Sequence, residues 1–200
     1  MNPVLTRRFN DILSMMNDQT FLMTKIAYET APTLSGVKPA TLLTFGRNSR
    51  NFFELWKRFK SQVGPVLGLR HFELKKSRKH VSVLFYNRDM LEKIIADDDN
   101  RAFLRSIDYD EEMQLDQVLR VLRGKAAIRF PHEIGLLLGI PREDVVGFIE
   151  NRGAKAMFCG YWKVYHNPQQ AKKAFAGYDM AKRAVMNLIC ATGRAEVMPA

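Results

Sequence analysis

Residues 130–165 read FPHEIGLLLGIPREDVVGFIENRGAKAMFCGYWKVY, and no other stretch of the chain is so densely specified. Pro131 suits a first helical position, because its φ is already helical and its missing N–H would have no partner there. His132 and Glu133 are therefore expected in a first helical turn, where aligned peptide dipoles favour the Glu133 anion. Gly139 offers a left-handed stop, and Ile140, before Pro141, is pushed towards extended geometry. A second helix should start at Pro141 with Glu143 and Asp144 in its acidic first turn, and end at Gly153. Residues 155–165 then alternate as a strand: Met157, Cys159, Tyr161, Lys163 and Tyr165 on one face, Phe158, Gly160, Trp162 and Val164 on the other.

Outward from this centre the elements follow from pattern. Asn2 and Pro3 open a first helix, a second runs from about Asp18, and Pro32 ends it. The loop Ala31–Leu42, APTLSGVKPATL, is either a rigid connector or an anion-binding loop in which Thr33, Ser35 and Lys38 face a ligand. Thr41–Phe45 is a short strand, after which Asn48 or Ser49 caps a helix with an aromatic stripe of Phe52, Phe53, Trp56 and Phe59. Gly64, Pro65 and Gly68 break the chain before two alternating segments around LRHFELK and HVSVLFY, which read as a β-hairpin. Asn87 caps a further helix, and the run Asp97–Asn100 lacks the spacing of a calcium loop, so it reads as a turn and cap. Two helices follow, at about 100–107 and 112–123; Asn167 and Pro168 then open a long closing helix, whose small-residue stripe predicts close packing on the sheet. These elements define an α+β protein: a small, mostly antiparallel sheet of about four strands covered by many helices. One domain over residues 1–193 is expected, with residues 194–200 as a frayed tail.

Composition narrows the function class. Of 200 residues 46% are apolar, enough for a substantial core, and the net charge of +10 implies attraction to something acidic. Residues 47–79 carry ten Lys or Arg against two Glu, while residues 81–120 carry five against ten acids, which predicts a basic and an acidic side. Two cysteines without CxxC spacing exclude a disulfide framework and point to a reducing cytoplasm. No secretory pattern opens the chain, and no apolar run approaches the ~20 residues of a membrane span.

The segments APTLSGVKPATL, PHEIGLLLG, EDVVGFIENRG and GYWKVY, in that order, resemble a bacterial family known as domain-of-unknown-function family 3793, from about Tyr28 to Tyr178. Leu137 and Ile140 stand where that pattern more often carries aromatic residues. The resemblance implies a soluble, single-domain bacterial protein, found largely in anaerobic Firmicutes, with no assigned activity. Members are encoded near flavodoxin-like proteins, which points towards redox or iron physiology.

Three functional readings follow. The first is a binding or accessory protein: Thr33, Ser35, Lys38, His132, Tyr161, Trp162, Lys163 and Tyr165 come from tightly turned segments and would together form a cationic, aromatic pocket for a small anionic ligand. In the same reading, Lys57, Arg58, Lys75 and Lys79 form a basic patch for an acidic protein such as a flavodoxin. The second is an enzyme using His132 and Glu133 as acid and base, with Cys159 as a candidate nucleophile. Adjacent helical residues point about 100° apart, however, no catalytic, phosphate-binding or dinucleotide motif is present, and the histidines lack metal-ligand spacing. The third is DNA binding through residues 133–153, which mimic a helix-turn-helix. Glu143 and Asp144 at the start of the would-be recognition helix oppose phosphate contact, which ranks this reading last.

Overall fold

A computed structural model describes residues 3–47, 50–110 and 112–193. Asn2, the caps expected at Asn48 or Ser49, and the tail 194–200 lie outside the described residues. The chain is α+β. Its order is α1 (Pro3–Met15), α2 (Asp18–Glu29), α3 (Ala31–Leu34), β1 (Ala40–Gly46), α4 (Phe52–Phe59), α5 (Val63–Leu67), β2 (Arg70–Lys76), β3 (His80–Tyr86), α6 (Arg88–Ala96) and α7 (Asp98–Arg105). There follow α8 (Leu115–Ile128), α9 (Ile134–Leu137), α10 (Arg142–Glu150), β4 (Phe158–Cys159), β5 (Lys163–Val164) and α11 (Pro168–Thr192).

Helix starts fall where short polar side chains can satisfy free N–H groups. Asn17, Asn87, Asp97 and Asn167 each accept a hydrogen bond from the backbone three residues on, at 2.9, 3.0, 2.9 and 3.1 Å. Pro32 stands near the start of the single turn α3 rather than simply closing α2, and the chain through Gly64 and Pro65 is helical up to the left-handed Gly68.

The sheet is antiparallel in the order β1-β3-β2, with Ala40 opposite Tyr86 at one end and Gly46 opposite His80 at the other. β3 is central and covered on both faces, which is why HVSVLFY is apolar almost throughout. Phe45, Val81, Val83 and Phe85 face α2, α4 and α5, where Trp56 stacks on Phe45 at 4.9 Å and 10°. Leu74, Leu84 and Tyr86 face the opposite way, into a core shared with α6, α8 and α9. Glu73 joins α4 to β2 by accepting from Trp56 Nε1 and Lys60 Nζ, each at 2.8 Å.

Two elements depart from the sequence reading. Residues 155–165 are not a fourth strand of this sheet; they fold on themselves, Phe158 opposite Val164 and Cys159 opposite Lys163, because Gly160 turns the chain. The expected alternation survives the turn, with Trp162 and Val164 buried while Cys159, Tyr161 and Lys163 are exposed. Helix α11 packs chiefly on α1, α2 and α3 instead of over the sheet. Its first half meets the hairpin through Ala171 and Tyr178, and its second half meets α1 through Val185, Met186 and Ile189. Among the described residues, no helix is long and apolar enough to cross a membrane.

Candidate functional site

Asp144 organises the region around residues 130–165. It lies in the first turn of α10, as its acidic start predicts, and it is only 2% exposed. Its Oδ2 accepts from Trp162 Nε1 at 2.7 Å, and its Oδ1 accepts from the backbone N–H groups of Tyr165 and His166, each at 2.7 Å. One carboxylate thus fastens the β4–β5 hairpin and its exit to α10. Gly147 allows the close approach: a Cβ there would lie 2.7 Å from Cβ of Tyr165. Gly160 does the same on the other side of the hairpin, where a Cβ would run into the Phe175 ring. Phe175 in turn meets the Trp162 ring edge-on, with centroids 4.4 Å apart.

Between the turn that leads into α9, helix α10 and this hairpin is a pocket of about 280 Å³. Its walls include Phe130, His132, Phe148, Tyr161, Trp162 and Lys163. The His132 and Phe148 rings are 5.1 Å apart and inclined at 59°. Lys163 Nζ lies 5.8 Å from the centre of the Phe148 ring and donates to the Gly153 carbonyl at 2.6 Å, at the end of α10. Tyr161 donates its hydroxyl to Asp179 at 2.7 Å; burial, and then this carboxylate, push its pKa above the ordinary tyrosine value. Flat rings therefore form the walls, and two side chains able to carry positive charge, His132 and Lys163, stand exposed among them.

The remaining residues of the expected pocket lie elsewhere. Thr33 is buried and shares a 2.8 Å hydrogen bond with Thr41, and Ser35 Oγ donates to the Pro32 carbonyl at 3.3 Å, so both stabilise the connector. That connector does reach the central stretch: a Cβ on Gly139, whose φ is +76°, would lie 2.6 Å from Pro39 Cδ. Lys38 meets Tyr178 there, with Nζ 5.5 Å from the ring centre, and is not among the residues lining the pocket. Tyr165 packs on Gly147, with its hydroxyl buried and unpaired.

His132 and Glu133 part company. Glu133 is 8% exposed and accepts from Tyr109 Oη and Lys125 Nζ, each at 3.1 Å, whereas His132 is exposed and lines the pocket. Burial, followed by Glu133, raises the Tyr109 pKa. Cys159 is exposed outside the pocket lining, and Cys190 is buried in α11. Among the described residues, no group of three or more His, Cys, Asp or Glu side chains could hold a metal ion. The helix-turn-helix segment has only one turn in its first helix, and α10 carries Tyr165 against Gly147.

On the basic side, Lys57 pairs with Glu54 at 2.9 Å and Arg58 lies over Phe59, while among the described residues Lys75 and Lys79 enter no ion pair. The acidic stretch is partly neutralised, from within by Arg88 with Glu92 and Asp116, and from α10 by Arg142 with Asp99.

Among the residues that sequence reasoning missed are Asp144 as an anchor and Phe148 as a wall. A signal for both was present. They are four apart on one helix face, and a buried Trp downstream needs an acceptor for its N–H.

The fold and pocket define an α+β protein with a ring-walled, cation-bearing cleft. The chain belongs to the family described as Protein of unknown function (DUF3793), whose model matches residues 26–198. No curated protein and no solved structure matches it.

Proposed function

We propose that this is a binding or accessory protein whose pocket receives a small planar molecule bearing a negative charge. The observation that carries this reading is that His132 from one segment and Tyr161, Trp162 and Lys163 from another line one pocket of about 280 Å³. Pockets for drug-sized ligands begin near 300 Å³, so the ligand, or the part of it that enters, is about one or two rings in size. Rings bind a flat body over their faces, and the Lys163 ammonium attracts its anionic group. An acid–base role for His132 loses its proposed partner, because Glu133 is bound to Lys125 and Tyr109.

Lys75 and Lys79 of the β2–β3 hairpin, which enter no ion pair among the described residues, support a second part of the reading. An acidic protein of flavodoxin type would be drawn to Lys75 and Lys79, together with Lys57 and Arg58 on the neighbouring α4. An exposed free thiol at Cys159 suits the reducing cytoplasm in which such a partner would be met.

Isothermal titration with benzoate, cyclohexanecarboxylate and benzyl alcohol tests the pocket. Benzoate should bind best, since it alone is both flat and anionic, and Lys163→Met should weaken it about tenfold, equivalent to about 1.4 kcal/mol. Equal affinity for the three compounds, or an unchanged benzoate affinity in Lys163→Met, would contradict the reading.

A further inference from the structure

Lys38 does not line the pocket but lies over Tyr178, whose ring meets that of Tyr161 on the pocket wall. It ends the connector between α3 and β1, with its stem half-buried and its Nζ over the face of Tyr178 at 5.5 Å. Among the described residues, no carboxylate or hydrogen-bond acceptor meets this ammonium. The carboxylates nearby are engaged: Glu29 by Lys182 at 2.9 Å and Lys25 at 3.4 Å, and Asp179 by the Tyr161 hydroxyl at 2.7 Å. Lys182 itself, over the rings of Tyr28 and Tyr161 at 5.3 and 5.9 Å, is a second cation close enough to disfavour the first.

A half-buried ammonium held only by a ring face is poorly compensated, and the neutral amine, a nucleophile, suits the place better. Tyr178 meets Tyr161 edge-on at 5.1 Å, so the site is rigidly walled on the side of α11. We propose that Lys38 is an acylation site of this protein, accepting its acyl group from a small acyl phosphate. The Lys182 ammonium, beside the neutral Lys38 amine, is the cation that meets the phosphate dianion. The nitrogen lone pair attacks the carbonyl carbon, forming the C–N bond of an amide. The C–O bond to phosphate breaks with its electrons on oxygen, and the amine proton leaves with inorganic phosphate. No redox change occurs, and the product is a neutral amide against Tyr178. Burial, then Lys182, depress the Lys38 pKa to about 8, which leaves roughly a quarter of it as free amine at about pH 7.5, far more than at the ordinary lysine value of 10.5.

The proposal does not depend on the pocket having a ligand. The test is to incubate the full chain with acetyl phosphate at about pH 7.5 and follow each lysine by mass spectrometry. Lys38 should be acetylated about tenfold faster than the exposed Lys155 and Lys173, allowing for the lower intrinsic nucleophilicity of a weaker base. Lys182→Met should slow Lys38 several-fold, because removing the neighbouring cation returns its proton, while Lys155 and Lys173 are unchanged. A Lys38 rate no higher than theirs, or one indifferent to Lys182→Met, overturns the proposal.

Discussion

Asp144 shows how much a single side chain decides here: removing it leaves the buried Trp162 indole N–H and the part-buried backbone N–H groups of Tyr165 and His166 without their acceptor. Hydrogen bonds to a charged group are worth about 1.5–3 kcal/mol each, and buried donors left alone are costly. Asp144→Ala should therefore lose about 3 kcal/mol or more in urea unfolding, with Trp162 emission shifted to the red. A loss under about 1 kcal/mol would mean that the hairpin is held by its rings alone. Lys38 makes a contrary case at the same scale. The folded protein releases its proton near pH 8, while the unfolded chain keeps it to the ordinary value of 10.5. Between these values the unfolded state binds more protons, so stability rises with pH across that window, and below it the penalty is felt in full. Lys38→Met should stabilise the protein by about 2 kcal/mol at pH 7, and the gain should vanish near pH 10.5 in unfolding titrations. A gain that does not change with pH would contradict this origin.

Gly139 and the hairpin carry the argument among elements. The turn after α9 meets the β1 connector at Gly139, where a Cβ would be strained by a φ of +76° and would strike Pro39 at 2.6 Å. Gly139→Ala should cost about 2–3 kcal/mol, whereas Gly124→Ala, in α8 with nothing within 4 Å, should gain about 0.5–1 kcal/mol. Equal effects in chemical denaturation would remove the case for a tight junction. Local signals of this kind were legible in the sequence. The caps at Asn87, Asn167 and the Asp97 run, the β2–β3 hairpin and the left-handed stops at Gly139 and Gly153 depend on neighbours along the chain. The partner of an element is different: the stripe on α11 says that it packs, but small residues fit a helix as well as a sheet. Residues 155–165 alternate like a strand, and Gly160 alone does not say whether it bends the strand or closes it on itself.

For the molecule as a whole, the sheet lies between two helical cores, and the pocket stands to one side, where α10 and the hairpin meet. The four residues His132, Tyr161, Trp162 and Lys163, which line one pocket, stood out in the sequence because rings and cations on tightly turned segments are unusual scaffold. Thr33, Ser35 and Lys38 were not separable from them in sequence, since a hydroxyl that caps a turn and one that meets a ligand look alike until its partner is known. The most direct measurement is the indole N–H resonance of each tryptophan during a benzoate titration, assigned with Trp162→Phe. Trp56 is 1% exposed in the sheet core and bonded to Glu73, so its signal should stay in place while that of Trp162, on the pocket wall, moves saturably. A Trp162 resonance that does not move at concentrations where benzoate binds would show that the ligand goes elsewhere, and the pocket account would fail.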